Sequence, residues 1–224
     1  MAEDVLRRAP LLAALDEETT LAILTRLRPM ELARGDRVFH EGDPGDALYV
    51  IEAGKIKLAR RAADGRENLL AILGPGEMFG ELSLFDPGPR VATAVAVSPV
   101  RLQSLTREDF VPLLDQPRVA LSLLAALGRR LRRTNEALAD LVFSDVPGRV
   151  AKALVDLSQR FGQPVGDGVL VAHELTQEEL AQLVGASRET VNKALADFAS
   201  RGWLRLEGKS VVILDRERLA RRAR

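Results

Sequence analysis

Apolar positions recur every three or four residues near both ends of this sequence, whereas the middle shows a different pattern. Residues 5–27 carry an amphipathic helical pattern, and Asp16 is placed to cap a helix that ends at Leu27. From Met30 onward, short apolar runs are separated by turns rich in Gly, Pro and Asp, among them the turn at residues 63–65. Such runs predict an all-β unit, a sandwich or a barrel. Its predicted centre comprises Leu48, Val50, Ile51, Ile56, Leu58, Leu70 and Ile72.

A segment of different character interrupts the β unit at residues 78–97, MFGELSLFDPGPRVATAVAV. A strand-like run ends at Gly80-Glu81, a short helical turn follows, and a Pro/Gly loop then leads to Arg90. A turn that opens a helix presents free backbone N–H groups, which suit an anion. The planar guanidinium of Arg90 matches a phosphate, and Glu81 can accept hydrogen bonds from sugar hydroxyls. The alternative is that Glu81 and Arg90 only pair with each other across the loop.

A long helix is predicted over residues 117–145. Its apolar positions are spaced by 4, 3, 4, 3, 4 and 3 residues, the heptad pattern of a helix that packs along a partner helix. The simplest such pairing is a two-fold homodimer. The seam positions are Ala120, Leu124, Leu127, Leu131, Thr134, Leu138 and Leu141. Polar Thr134, beside Asn135, costs stability in a seam and is kept either for register or for binding a ligand, and the spacing leaves both open.

The C-terminal part of the chain has the pattern of a winged helix. Residues 145–148 contain Pro and Gly and predict a hinge after the long helix. A helix over residues 149–161 and a Gly-rich turn with one short strand follow, and then two short helices separated by Gly185. Ser187 is placed to cap the second short helix. A hairpin completes the motif, in which the second short helix enters the DNA major groove.

Exposed residues at the start of that second helix favour base recognition. Arg188 can bond O6 and N7 of guanine with both arms, and Glu189 can accept from the cytosine amino group. Lys193 lies one turn further along, and Lys209 at the tip of the hairpin would lie near phosphates. The alternative is a helical hairpin with a salt-bridged face. The basic tail, residues 216–224, is either a DNA contact or a solvated helix end.

Composition narrows the class of protein. The formal net charge of the 224 residues is zero, so that only a local basic face can serve phosphate binding. The absence of cysteine excludes disulfides and Cys-ligated metal sites, and fits a cytoplasmic protein. His40 and His173 stand far apart, so no metal site is expected. No nucleophile–base pair or paired carboxylates indicate an enzyme, and no apolar stretch of about 20 residues indicates a membrane span.

Two motifs, in the order in which they occur, resemble a known family over essentially the whole chain. They are FGELSLFDPGPR (residues 79–90) and VGASRETVNKAL (residues 184–195). The chain resembles the cyclic-AMP receptor protein family of bacterial transcription factors, above all its actinobacterial members in the stretches RRLRRTN and DVPGRVAK. The resemblance implies an α+β fold with a cyclic nucleotide-binding β-roll of jelly-roll type (residues 1–116), a dimerisation helix (117–145) and a winged helix-turn-helix (146–224).

The resemblance also implies a site for cyclic AMP. Gly80 and Glu81 match the residues that engage the ribose hydroxyl, and Arg90 matches the residue that pairs with the cyclic phosphate. Val91 stands where many members carry Ser or Thr. Valine keeps the backbone N–H but lacks the hydroxyl bond, which is worth roughly 0.5–1.5 kcal/mol. The strength of nucleotide binding is therefore expected to be reduced by up to about tenfold.

On the long helix, Thr134 and Asn135 match the residues that meet the adenine ring, which favours the ligand interpretation of the polar seam position. Arg130, one turn earlier, is placed to reach the same pocket. In the winged helix, the base-reading residues of the family match Arg188, Glu189 and Lys193, with Thr190 near a phosphate and Ser187 as the cap.

The sequence thus predicts a homodimeric transcription regulator that binds a palindromic operator with GTG-type half-sites about one helical turn apart. Cyclic AMP in the β-roll would change the packing of the long helix and re-aim the recognition helices through residues 145–148. RNA polymerase is the protein partner that the resemblance implies. One alternative is a family member that binds DNA constitutively or with weak nucleotide control, and another is a nucleotide-binding module that recruits a protein rather than DNA.

Overall fold

The computed structural model describes residues 2–62, 65 and 67–223. Of the predicted turn at residues 63–65, Ala63 and Asp64 lie outside the described residues. Contacts divide the chain into two compact units, one formed by residues 1–62 and 70–132 and the other by residues 63–69 and 133–224. The predicted domain boundaries at residues 116 and 145 stay predictions.

Up to Phe143 the chain forms five helices and eight strands among its described residues. The helices are α1 (Ala2–Leu6), α2 (Glu17–Leu24), α3 (Leu82–Phe85), α4 (Arg107–Phe110) and α5 (Pro117–Phe143). The strands are β1 (Arg28–Leu32), β2 (Arg37–Phe39), β3 (Ala47–Ala53), β4 (Ile56–Arg61), β5 (Glu67–Leu73), β6 (Met78–Phe79), β7 (Thr93–Ala96) and β8 (Val100–Thr106). Short 3-10 turns cover Leu12–Ala14 and Val111–Asp115.

The strands form two four-stranded sheets, in the orders β1-β8-β3-β6 and β2-β7-β4-β5. Side chains from both sheets share one apolar cluster that includes Tyr49, Ile51, Ile56 and Leu102. Alternate residues of β3 point to the other face of the first sheet, where Leu48 and other apolar side chains pack against the N-terminal helices and the start of α5. The predicted all-β unit is therefore a sandwich of two sheets, and residues 47–51 of β3 form an unbroken apolar run because both faces of the strand are buried there.

Two expectations for this unit were wrong. Leu70, predicted in the core, is 49% exposed, whereas its neighbour Leu69 is buried, because successive side chains of a strand point to opposite faces. Asp16 caps α2 by accepting a hydrogen bond from the backbone of Thr19, as predicted, but the helix ends at Leu24 rather than at Leu27.

After Phe143 the chain folds as helices around a small sheet. The helices are α6 (Val146–Phe161), α7 (Gln177–Val184), α8 (Arg188–Ser200) and α9 (Arg216–Arg222), and the strands are β9 (Gly162–Val165), β10 (Gly168–Val171), β11 (Leu204–Glu207) and β12 (Ser210–Ile213). The sheet order is β11-β12-β10-β9. Strand β9 was not predicted, since its sequence GQPV lacks the strand signature; it lies at the sheet edge, where Pro164 is tolerated.

The break between α5 and α6 is shorter than predicted. Asp145 is the N-cap of α6, because its side chain accepts a hydrogen bond from the backbone N–H of Gly148. Pro147 occupies the first turn, a position that proline favours. The expected hinge at residues 145–148 is therefore the start of a helix, and the change of direction falls at Ser144 and Asp145.

Among the described residues, no single helix is long and apolar enough to cross a membrane. The helical segments Arg107–Asp115 and Pro117–Phe143 reach that length and composition only when taken together, and they meet at a bend of 109°.

Candidate functional site

Arg90 is a buried cation held in place by backbone carbonyls. Its Nη1 donates to the carbonyl of Gly80 at 2.7 Å and its Nη2 donates to the carbonyl of Ala47 at 2.8 Å. The guanidinium carbon lies 4.3 Å from the ring centre of Phe39, a cation–π contact. The nearest carboxylate, that of exposed Asp46, is 3.8 Å from Nη2. The residues that the structure describes provide no partner for the buried Nε of Arg90, so one donor stays available to an anion.

Position 80 requires glycine, because the guanidinium of Arg90 lies against its Cα. Its φ is +81°, a conformation that favours glycine. A Cβ at this position would lie 2.8 Å from Nη1 of Arg90 and 3.2 Å from the carbonyl oxygen of Ala47. Any side chain here would therefore displace the guanidinium from its two carbonyl acceptors.

Glu81 is also buried, and its partner is Arg130 of α5. Its Oε1 accepts a hydrogen bond from Nη1 of Arg130 at 2.8 Å. Its Oε2 is buried and finds no hydrogen-bond partner among the described residues. No hydrogen bond or ion pair within that part of the chain joins Glu81 to Arg90, so the interpretation that the two only pair with each other is wrong. Arg90 is held by backbone carbonyls and Glu81 by Arg130, and each side chain has one buried polar atom without a hydrogen-bond partner among the described residues.

The three charged side chains line one cavity with a largely apolar wall. Besides Glu81, Arg90 and Arg130, the lining includes Phe39, Leu58, Leu70, Val91 and Ala92. Val91 is 54% exposed, and its side chain carries methyl groups in place of the hydroxyl of Ser or Thr. The cavity thus combines two cations, a carboxylate and an apolar surface, groups that suit a small anionic molecule with hydroxyls.

Burial also affects the aromatic side chain beside Arg90. It raises the pKa of the Tyr49 hydroxyl, and the positive charge of Arg90 opposes that rise. Tyr49 stacks on Phe79 with ring centres 5.3 Å apart, and Phe39 contacts both rings. Phe39 and Tyr49 contact the guanidinium directly, since their ring centres lie 4.3 Å and 5.7 Å from its carbon.

Sequence reasoning missed Phe39 and the carbonyl of Ala47. Neither carries a local signal, because they lie 51 and 43 residues from Arg90 and only the pairing of strands brings them to it. Thr134 and Asn135 lie about one turn after Arg130 on α5, and both are exposed.

The predicted seam of α5 is a row of exposed leucines in the single chain. The exposed fractions of Leu124, Leu131, Leu138 and Leu141 lie between 50% and 62%. Val142 and Phe143 at the end of α5 are more exposed still. Exposed leucines repeated at heptad spacing are the pattern of a helix that packs along a partner helix.

The ends of the two helices of the helix-turn-helix are set by capping residues and a glycine. Thr176 and Glu179 form a capping box at the start of α7, and Gly185 ends that helix in the left-handed conformation with φ of +63°. Ser187 caps α8, as predicted, by accepting from the backbone of Thr190. Helix α8 therefore begins one residue after the cap and presents its first turn to solvent.

The predicted base-reading residues are exposed on that first turn and the next. Arg188, Glu189, Thr190 and Lys193 all lie on the surface of α8. The carboxylate of Glu189 is 2.9 Å from Nζ of Lys193, an exposed ion pair one turn apart. Such pairs contribute little to stability, so both groups are available for other partners.

The hairpin of β11 and β12 and the helix α9 of the basic tail differ in their contacts. Lys209 is exposed at the two-residue turn between β11 and β12, and its carbonyl accepts from the backbone of Glu174. In α9, three arginines are paired with carboxylates within the same unit: Arg218 with Asp215, Arg221 with Glu217 and Arg222 with Asp145. This favours the interpretation of the tail as a helix end over that of a DNA contact.

Comparison with known proteins agrees with this organisation. Residues 29–117 match the family model of the cyclic nucleotide-binding domain, and residues 148–222 match the Crp-like helix-turn-helix domain. The CRP-like cAMP-activated global transcriptional regulator of Mycobacterium tuberculosis is 58% identical over 223 residues, which cover 99% of this chain and 100% of that protein. The cyclic AMP receptor protein of Thermus thermophilus is 40% identical over 202 residues, 90% of each chain.

A solved structure has the same architecture. The c-di-GMP responsive global regulator CLP of Xanthomonas campestris superposes with a TM-score of 0.76 at 28% identity, covering 88% of this chain and 99% of that one. Two domain matches in the expected order and a full-length relative at 58% identity lead to one conclusion. The chain belongs to the cyclic-AMP receptor protein family of transcription regulators.

Proposed function

We propose that this chain is a homodimeric regulator whose binding to a palindromic operator is controlled by cyclic AMP bound in the β-roll. The observation that carries the proposal is the pair of buried charges in one cavity, Glu81 and Arg90. Each has one polar atom that the described residues leave without a partner. The names of the relatives from Mycobacterium tuberculosis and Thermus thermophilus support cyclic AMP as the effector.

The chemistry of the two atoms fits a cyclic nucleotide. Nε–H of Arg90 is a donor beside a full positive charge, which suits an oxygen of a cyclic phosphate. Oε2 of Glu81 is an acceptor, which suits a ribose hydroxyl. A buried polar atom without a partner costs about 1–3 kcal/mol, and a ligand with one phosphate and one hydroxyl relieves both costs. Gly80 keeps the cation in position, and Val91 contributes its backbone N–H and an apolar contact.

Arg130 of the long helix lines this cavity. Arg130 already bonds Glu81 at 2.8 Å, so a ligand at Glu81 acts on a residue of α5 directly. Thr134 and Asn135 follow on the same helix and would meet the base. A ligand that contacts α5 differently in two states shifts the balance between those states by that difference.

The exposed leucines of α5 support a homodimer. Four leucines at heptad spacing stay half-exposed or more in the single chain, and burying such a row against a second copy contributes about 25 cal/mol per Å² of apolar area. To occupy half-sites one helical turn apart, such a dimer would have to present its two copies of α8 about 34–36 Å apart. The bases would be read by Arg188, Glu189 and Lys193. The phosphate backbone of the DNA would be contacted by Ser187, Thr190 and Lys209. RNA polymerase would be the protein partner, and the cytoplasm the place of action.

The test is calorimetric titration of the purified protein with cyclic AMP, with cyclic GMP and cyclic di-GMP as alternative ligands. Arg90→Ala should lose cyclic AMP binding. Arg101→Ala is the matched control, because Arg101 lies on β8 and its Nε bonds Glu52 at 3.0 Å on the surface. Binding of cyclic AMP by the parent and by Arg101→Ala, but not by Arg90→Ala, is the expected result. Equal binding by all three proteins would contradict the role of Arg90.

A second candidate function follows from Val91. Without a hydroxyl at this position the nucleotide is held less tightly, and the protein would bind DNA constitutively or under weak control. Fluorescence anisotropy of an operator duplex separates the two. An affinity for DNA that saturating cyclic AMP leaves unchanged would support the second candidate.

A further inference from the structure

Arg149, in the first turn of α6, bonds the residue that follows α5 and the end of α7 at once. Its Nη1 donates to the carbonyl of Ser144 at 2.7 Å, just beyond the end of α5. Its Nε donates to the carbonyl of Val184 at 2.8 Å and its Nη2 to the carbonyl of Gly185 at 3.2 Å. Val184 is the last residue of α7, and Gly185 is the turn of the helix-turn-helix. A single guanidinium therefore joins the end of the long helix to the turn that precedes α8.

These acceptors are of a particular kind. The last carbonyls of a helix have no partner within the helix, and they carry the negative end of its dipole. A cation placed there is favourable, and Arg149 serves the ends of α5 and α7 together. The donors of a guanidinium point in fixed directions in one plane. Three simultaneous bonds thus define the position of the Ser144 carbonyl relative to those of Val184 and Gly185.

Two further contacts join the same elements. A Cβ at Gly185 would lie 2.8 Å from Cδ2 of Leu141, so the last turn of α5 packs against the turn of the helix-turn-helix with no room for a side chain. Nζ of Lys152 on α6 lies 2.6 Å from the carboxylate of Asp140 on α5. Because Ser187 caps α8 two residues after Gly185, a displacement of the turn displaces the start of α8.

We propose that Arg149 is a positioning residue that transmits an effector-dependent change in α5 to the recognition helix α8. This inference rests on the proposed function. Arg149 acts through the carbonyls of Ser144, Val184 and Gly185, not as a ligand for nucleotide or DNA. If its three bonds are complete in only one of two arrangements of α5 and α7, they favour that arrangement, and the nucleotide and DNA become coupled through it.

The experiment measures coupling, not affinity alone. The dissociation constant of a palindromic duplex with GTG-type half-sites is measured by fluorescence anisotropy without and with saturating cyclic AMP, and the ratio of the two values is the coupling. The variants are Arg149→Met and Arg149→Lys. The control is Arg160→Met on the same helix, where Arg160 bonds Asp156 one turn away.

The parent and Arg160→Met should show a ratio of about 10 or more, within the usual range of allosteric coupling. Arg149→Met should still bind cyclic AMP but show a ratio within about threefold of one. Arg149→Lys should fall between them, since lysine keeps the charge but lacks the fork. A purely structural role would weaken DNA binding equally with and without nucleotide and leave the ratio at the parental value, which would overturn the inference.

The emission of Trp203, the single tryptophan, reports whether the winged helix is folded, because its ring stacks on Phe198 at 5.4 Å. If Arg149→Met does not fold, Arg149→Lys decides: a ratio below the parental value supports the inference, and the parental ratio overturns it. A parental ratio of one would overturn the proposed function and this inference together. A parental ratio that both Arg149 variants retain would overturn this inference alone.

Discussion

Val91 offers a direct test of how the cavity holds a phosphate. Val91→Thr replaces one methyl group by a hydroxyl without changing the shape of the side chain. Because Val91 is 54% exposed, the new hydroxyl keeps contact with water in the free protein and costs little stability. The side chain lines the same cavity as Arg90, the residue proposed to bind the cyclic phosphate. A new hydrogen bond to that phosphate should therefore appear mainly as tighter nucleotide binding.

The magnitude follows from the net value of one such bond, about 0.5–1.5 kcal/mol, which corresponds to about a 2- to 12-fold decrease in Kd for cyclic AMP. Calorimetry without DNA measures it. Val91→Ala is the matched control, because it removes methyl groups without adding a donor and should bind no more tightly than the parent. Cyclic GMP should show the same gain, since it carries the same phosphate. The reasoning is refuted if Val91→Thr binds no more tightly than Val91→Ala while Arg90→Ala loses binding.

Three further predictions concern the dimer, the DNA contact and the joint between α5 and α6. Leu131→Glu should convert a dimer into a folded monomer in sedimentation experiments, because Leu131 is exposed in the single chain; an unchanged mass would contradict the seam. Glu189→Gln should relax discrimination at one base pair by about 1–3 kcal/mol in binding assays with substituted operators, and unaltered discrimination would exclude base reading by this carboxylate. The Arg222 hydrogen bond, followed by that from Gly148, lowers the pKa of Asp145 below 3.8, so its stabilisation is present above that pH and disappears as the pH falls through the lowered value. Arg222→Ala should therefore reduce Tm slightly at pH 6, since Asp145 is 61% exposed, and the difference from the parent should vanish in acid; a difference independent of pH would point to packing.

The elements with strong periodicity were predictable, and so were their caps. The heptad spacing located α5 to within two residues of its end, and Ser187 and Gly185 marked the turn before α8. These signals are local, because a cap or a left-handed glycine acts on the residues next to it. Strand β9 was missed because none of its four residues is buried, so that its sequence needs no apolar alternation.

The site was only partly predictable. Glu81 and Arg90 could be found from chemistry, since a carboxylate and an arginine near a helix-opening turn suit a sugar phosphate. Their partners could not be found so, because Arg130 and the carbonyl of Ala47 lie 49 and 43 residues away. Glu81 and Arg90 are close in sequence but do not pair with each other. Each bonds a group that is distant in sequence and that the fold brings close.

Arg90 and Glu81 are bonded to different parts of the protein. We therefore expect one of them to set mainly the affinity for the nucleotide and the other to set mainly the control of DNA binding. Arg90 is fixed by the carbonyls of Gly80 and Ala47, both in the β-roll. The binding free energy of a phosphate at Arg90 therefore does not depend on a contact with α5. Glu81 is bonded to Arg130 of α5, so a hydroxyl bound to Glu81 must share that carboxylate with the long helix. Only interactions that differ between two states can shift their balance. Under the proposed function, the phosphate therefore contributes mainly affinity, and the hydroxyl and the base, which meet α5, carry the signal towards Arg149 and the recognition helix.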